Sequence, residues 1–220
     1  MNFAGKKVIF LGDSITEGAC ADSPEKIYHA ILKDRLNLRE AVNRGIGGTR
    51  IARQTEPPED SRYDEDFNMR YDVMEKDADI LLIFGGTNDY GHGDAEIGAD
   101  SDRSLYTFCG AFRTLLEKAV ADFGRDNVIV LTPMHRKGEE NLRGEGRKKR
   151  DGAPLCVYVK TIKRLATEYG VRIINLYDEP GLDPNIRENA GLFAPDGLHP
   201  SNDGHRLLAA VIEKNLTEIP

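Results

Sequence analysis

The chain has 220 residues, 40% hydrophobic and 30% charged, which excludes a disordered polypeptide and gives enough length to bury a core without disulfides or metals. Thirty Lys and Arg against thirty-seven Asp and Glu leave a formal charge of −7. That sign argues against a nucleic-acid partner, because phosphate binding needs a basic face. Residues 7–11, Lys-Val-Ile-Phe-Leu, form a β-rich run ending in Gly12 and predict a buried strand. Ser23-Pro24 supplies an N-cap and a first-turn proline for a helix carrying Ile27, Ala30 and Ile31 on one face. A short strand is expected around Ala41, Val42 and Asn43, ended by the glycines of 45–48. Residues 79–84 are apolar on both faces, as a central parallel strand requires.

Ser101 is expected to open a long helix through Leu105, Phe108, Cys109, Phe112, Leu115, Leu116, Ala119 and Phe123, stopped by Gly124. Its stripe makes Cys109 a small buried hydrophobe. Residues 127–132 predict the next strand. Leu155, Val159, Ile162, Ala166 and Tyr169 trace another helix ended by Gly170. A fifth strand is expected over 171–176, and Ser201 caps a final helix through Leu208, Ile212 and Leu216. Strands alternating with helices imply one α/β domain over residues 1–220, with a mostly parallel sheet covered on both faces. Two charged stretches interrupt this order. Residues 56–66 hold six acids and two prolines, and residues 134–151 hold seven Lys or Arg against four acids. Each reads first as a solvated loop. Each also follows a strand at the sheet's C-terminal edge, where open α/β folds keep their ligands, so the two are candidates for framing a cleft.

Four short blocks carry the chemistry. Gly12-Asp13-Ser14-Ile15-Thr16 puts a serine on a strand-to-helix turn; by itself it reads equally as a phosphate-binding turn or an N-cap. The nucleophile elbow Gly-x-Ser-x-Gly is absent, since Thr16 stands where its second glycine would be. Asn43-Arg-Gly-Ile-Gly-Gly48 lets backbone approach a ligand closely, but does not match the dinucleotide fingerprint. Gly85-Gly-Thr-Asn88-Asp89 places an amide at the end of the central strand, as an oxyanion donor or as an Asx turn. In Asp196-Gly-Leu-His199 the acid can reach back to the imidazole, the pairing a serine nucleophile needs for its base. His29, His92, His135 and His205 have no equally placed acid, and His205 reads as structural or exposed.

Taken together and in this order, the blocks resemble those of the SGNH hydrolases, the GDSL-type esterases and lipases, over residues 7 to about 215. The resemblance implies a three-layer α/β/α flavodoxin-like fold with a five-stranded parallel sheet. It further implies Ser14 as nucleophile, His199 as base, Asp196 as its orienting acid, and an oxyanion hole from the Ser14 and Gly48 N–H groups and the Asn88 amide. Among Gly45, Gly47 and Gly48, Gly48 best matches the family block. The first block reads Gly-Asp-Ser-Ile rather than Gly-Asp-Ser-Leu, a swap that keeps an apolar residue.

The expected activity is hydrolysis of carboxylic esters through an acyl-enzyme. Charged candidate cleft loops and the lack of Trp or of an apolar lid favour a short acyl group, such as acetyl, on a small polar or carbohydrate alcohol. A lysophospholipase or thioesterase, or a catalytically silent flavodoxin-like binding module, are the alternatives. No metal or organic cofactor is expected, because neither His-x-x-x-His nor a cysteine cluster occurs, and Cys20, Cys109 and Cys156 are far apart. The expected partner is a small-molecule ester, with no nucleic acid and no membrane, since no apolar run approaches a bilayer span. The N-terminal Met-Asn-Phe-Ala-Gly-Lys-Lys lacks a signal-peptide apolar region, so a cytoplasmic location is expected.

Overall fold

A computed structural model describes residues 2–56, 58 and 61–217. Strand Lys7–Gly12 (β1) runs into a one-turn helix, Ser14–Glu17 (α1). Tyr28–Arg35 (α2), Glu40–Gly45 (β2) and Phe67–Val73 (α3) follow. Next come Ile80–Phe84 (β3), Thr87–Gly91 (α4), Phe108–Phe123 (α5) and Val128–Leu131 (β4). Leu155–Tyr169 (α6), Arg172–Ile174 (β5) and Asn202–Thr217 (α7) complete the chain.

All five strands are parallel, in the order β2-β1-β3-β4-β5, the expected flavodoxin-like arrangement. Alternation along each strand fills two cores. Leu81 and Ile83 of β3 meet Phe112, Leu115 and Ile162 of α5 and α6, while Ile80, Leu82 and Phe84 meet Tyr28, Leu32, Leu208 and Ile212 of α2 and α7. The chain order reverses between β1 and β3, whose ends Gly12 and Phe84 lie in register. That switch point opens a crevice at the C-terminal edge of the sheet. No described helix is long and apolar enough to cross a membrane.

Several expected boundaries move. The long helix starts at Phe108 instead of Ser101, capped by Thr107, whose hydroxyl accepts the Gly110 N–H. The preceding residues are committed elsewhere: the Leu105 carbonyl accepts the Arg53 N–H and Asp102 accepts the Ser104 N–H, bonds that a helix would break. Ser23-Pro24 opens only a 3-10 turn, because Ile27 is extended at φ −75° and ψ 144° and α2 begins after it. The Ser23 hydroxyl donates to Glu25 instead of capping. The buried face of α2 is consequently Tyr28, His29 and Leu32, with Ile27 at its entry, while Ala30 and Ile31 are only partly covered. β2 extends over Glu40–Gly45, and β5 shrinks to Arg172–Ile174. The last helix begins as expected, with Ser201 Oγ accepting the Gly204 N–H.

The charged stretch 56–66 is more than a solvated loop, although Pro57, Glu59 and Asp60 lie outside the described residues. Its last residue, Asp66, is 3% exposed and caps α3 through the Met69 N–H, while its other oxygen takes the Arg53 guanidinium at 2.8 Å. The sequence reading passed over α3, although Phe67, Tyr71 and Met74 fall on one helical face and are buried. Cys109 is buried in α5 as expected.

Candidate active site

Ser14 owes its place to β1 and to the cap that follows. Gly12 ends the strand, and the buried Asp13 caps α1 by accepting the Ile15 N–H at 3.0 Å. Ser14 is thereby the first residue of the helix, where an N–H has no intrahelical acceptor and meets the positive end of the turn. Ser14 stays 9% exposed, open enough to reach a ligand. The second strand end presses against this turn: a Cβ on Gly45 would fall 2.1 Å from the Glu17 amide nitrogen, so only glycine fits there. Gly47 packs on Ser14 and donates its N–H to Glu17 at 2.8 Å.

The segment before α7 brings the base. His199 Nε2 lies 2.8 Å from Ser14 Oγ, and His199 Nδ1 lies 2.6 Å from Asp196 Oδ2. The other oxygen of Asp196 accepts the N–H groups of Leu198 and His199 at 2.9 and 3.1 Å, so one carboxylate holds both its own turn and the ring. An ionised Asp196 keeps the ring proton on Nδ1 and leaves Nε2 free to accept the serine proton. Burial alone would push the Asp196 carboxyl upward. The His199 ring and the two amides outweigh it and hold the group below its ordinary value. Asp13 goes the other way: burial raises it to about 6, opposed by the Ile15 amide and by the charge of Arg70.

Gly48 and Asn88 converge on the same turn. Gly48 adopts φ +74°, which turns the chain after β2, and its N–H makes no hydrogen bond among the described residues. Asn88, buried at the start of α4 just beyond β3, donates one amide hydrogen to the Thr49 carbonyl at 3.0 Å, leaving its second hydrogen for a ligand. Its neighbour Asp89, unassigned by the sequence reading, accepts the N–H groups of Ile51 and Ala52 at 3.0 and 2.9 Å and fixes the chain beyond that turn. All six oxygen and nitrogen groups implied by the family resemblance therefore sit at one end of the β1–β3 crevice.

Histidines set aside in the sequence do find acids. His135 Nδ1 lies 2.7 Å from Glu139, four residues on, a spacing that was open to reading. His92 Nδ1 lies 3.5 Å from Glu145, and its Nε2 meets the Gly48 carbonyl at 3.2 Å. That pairing spans 53 positions and has no local signal. His29 and His205 are buried in the α2–α7 core, which resolves the reading of His205 in favour of a structural place.

The two charged stretches meet. Glu56 and Pro58 from one and residues 147–151 from the other line a cavity of about 370 Å³ with Arg50, His92 and Asp94, closing it beside the Gly48 turn. For metal binding, the described residues offer one group with ligand atoms within 4.8 Å of one another, namely Cys20, Asp196 and His199. Two of these are already bonded to each other, and His199 also to Ser14.

A protein from Lactobacillus plantarum is similar over 99% of both chains, at 29% identity and a TM-score of 0.81. A lipase/acylhydrolase from Enterococcus faecalis aligns over 96% of this chain and 95% of its own, at 24% identity and a TM-score of 0.64. An acetylxylan esterase from Geobacillus stearothermophilus aligns over 100% and 98%, at 20% identity and a TM-score of 0.65, a likeness of fold. No curated protein matches the chain. The sequence profile of the GDSL-like lipase/acylhydrolase family matches residues 10–207. The chain belongs to that family and is an ester hydrolase of the SGNH type.

Proposed function

We propose that Ser14 attacks the carbonyl carbon of a short-chain ester, with acetyl as the preferred acyl group and a small polar or carbohydrate alcohol as the leaving group. The observation that carries this reading is the unbroken line Ser14 Oγ, His199 Nε2, His199 Nδ1, Asp196 Oδ2, with gaps of 2.8 and 2.6 Å. His199 takes the serine proton as Oγ bonds to the carbonyl carbon. The oxyanion that forms is held by the N–H groups of Ser14 and Gly48 and the free amide hydrogen of Asn88. Collapse breaks the ester C–O bond, and His199 gives its proton to the departing alcohol. Water then enters, His199 takes a proton from it, and hydrolysis of the acyl-enzyme returns Ser14 and releases the acid. Asp196 stays ionised and steadies the imidazolium in both halves. In this proposal residues 1–220 act as a single domain, without metal or cofactor.

The acyl preference rests on the charged character of residues 56–66 and 134–151 and on the lack of Trp or of an apolar lid segment in the sequence. Each methylene buried in an apolar groove gains about 0.8 kcal/mol, and a charged wall has little such surface to offer. The test is kcat/KM across p-nitrophenyl acetate, butyrate, hexanoate and octanoate below their micelle limits. A fall from acetate to octanoate is expected. A steady rise would reject the short-acyl assignment in favour of the lysophospholipase or thioesterase alternative, with Ser14 still the nucleophile.

A further inference from the structure

Several cations line the cavity beside Gly48 without an ion-pair partner among the described residues. Its acids are all engaged. Asp94 accepts the Thr55 and Glu56 N–H groups and the Thr55 hydroxyl. Glu56 pairs with Lys149, Glu96 with Arg150 at 3.8 Å, and Asp151 with Arg143 at 2.7 Å. Three cations remain, Arg50, Arg147 and Lys148, and among the described residues none of them has a carboxylate within salt-bridge distance. Lys148 donates instead to the Asp89 carbonyl and the Tyr158 hydroxyl.

Arg50 is the telling member. It is only 7% exposed, yet among the described residues its guanidinium makes one bond, to the Tyr63 carbonyl at 3.0 Å, and its Nε has no partner. Of the acids that act on it from further away, Asp89 is held by two backbone N–H groups, Asp94 by the Thr55 and Glu56 N–H groups and Glu145 by Arg136 at 2.7 Å, while Asp64 lies beyond salt-bridge distance. A guanidinium taken from water without a counter-ion is costly, and a fork of this kind matches a carboxylate or a phosphate. The place is tied to the site: Arg50 lies two residues past Gly48, Tyr63 packs on Gly48, and His92 on the cavity wall meets the Gly48 carbonyl. A volume of about 370 Å³ suits a group of monosaccharide size.

We propose that this cavity binds an anionic oxygen group, a carboxylate or a phosphate, carried on the alcohol portion of the ester, with Arg50 as its principal contact and Arg147 and Lys148 beside it. The proposal rests on Ser14 being the nucleophile. It deepens that reading by making the substrate an acylated acidic sugar or sugar phosphate rather than a neutral one.

The experiment compares three matched substrates at low salt: mono-O-acetyl methyl glucoside, the corresponding glucuronide and the corresponding 6-phosphate. At least about a tenfold higher kcat/KM is expected for one or both anionic compounds, the size of one good charged contact. Which of the two is favoured identifies the source of the anion. Arg50→Gln should bring the charged-to-neutral ratio close to one, and reading a ratio cancels any general loss of folded enzyme. If Arg50→Gln does not fold, the exposed Arg147→Glu variant and added salt must each lower the ratio several-fold. Equal rates on the three compounds, with p-nitrophenyl acetate still hydrolysed, would overturn this proposal alone. A preference unmoved by Arg50→Gln, or by Arg147→Glu and salt, would overturn it as well. Failure to hydrolyse any of the acetyl esters would instead overturn the serine hydrolase reading.

Discussion

His199 and the pair His29 and His205 put the same side chain to opposite uses within one end of the molecule. His199 stands at the sheet edge with a partner on each ring nitrogen, Asp196 at 2.6 Å and Ser14 at 2.8 Å. His205, six residues further on, lies inside the α2–α7 core with His29, and their ring nitrogens face backbone alone, at Thr16 for His29 and Ala19 for His205, with no side-chain partner among the described residues. There the rings serve as flat packing surfaces: His205 stacks on Tyr28 at 6.2 Å and 11°, and His29 lies 5.5 Å from Phe10. Burial pushes both down to about 4, so they are neutral where the enzyme would work. A histidine becomes a base when its second nitrogen is held by an acid and its first faces a nucleophile. Without those partners, burial makes it another aromatic ring.

The largest expected effect breaks the His199 side of this comparison. His199→Ala should lower kcat on p-nitrophenyl acetate by roughly 10³–10⁴-fold, and adding Asp196→Ala should change little more, since losses within a triad do not multiply. Losses that multiply in steady-state kinetics would mean that Asp196 acts apart from the ring. Asn88→Ala comes next, with a fall of about 10²–10³ in kcat and little change in KM, as for other single oxyanion donors. An unchanged kcat would remove Asn88 from the oxyanion hole and leave it only its bond to Thr49.

The smallest effect concerns the buried pair and is read as stability. Each ring moves from its ordinary 6.5 to about 4 on folding. Between those values the unfolded chain binds protons that the folded one refuses. Stability is therefore lost as pH falls from about 6.5 towards 4 and levels off below, by about 3 kcal/mol for each ring. His205→Leu should roughly halve that loss in urea unfolding followed from pH 7.5 to 4.5. Variant and wild-type curves with the same slope would show that His205 does not titrate on unfolding.

The site's four blocks were legible because each is a short local pattern: the Ser14 turn, the Gly48 turn, the Asn88 strand end and the Asp196–His199 loop all complete their geometry within a few residues. The strands were equally plain, since 80–84 is apolar throughout and β3 is buried on both faces. Boundaries set by distant partners were hidden. The start of α5 depends on Leu105 giving its carbonyl to Arg53, and the break before α2 on an extended Ile27. The cavity was hidden for the same reason. Residues 56–66 and 134–151 each read as surface charge, and only their meeting across Arg50 and His92 leaves some charges paired and others not.

The most direct measurement is to treat the enzyme with a fluorophosphonate, digest it and locate the adduct by mass spectrometry. One adduct is expected, on the peptide containing Ser14, appearing in step with loss of p-nitrophenyl acetate turnover and absent from Ser14→Ala, which folds normally but hydrolyses the ester more slowly by roughly 10³-fold or more. An inactivating adduct on another residue, or a Ser14→Ala variant that keeps its turnover, would contradict Ser14 as the nucleophile.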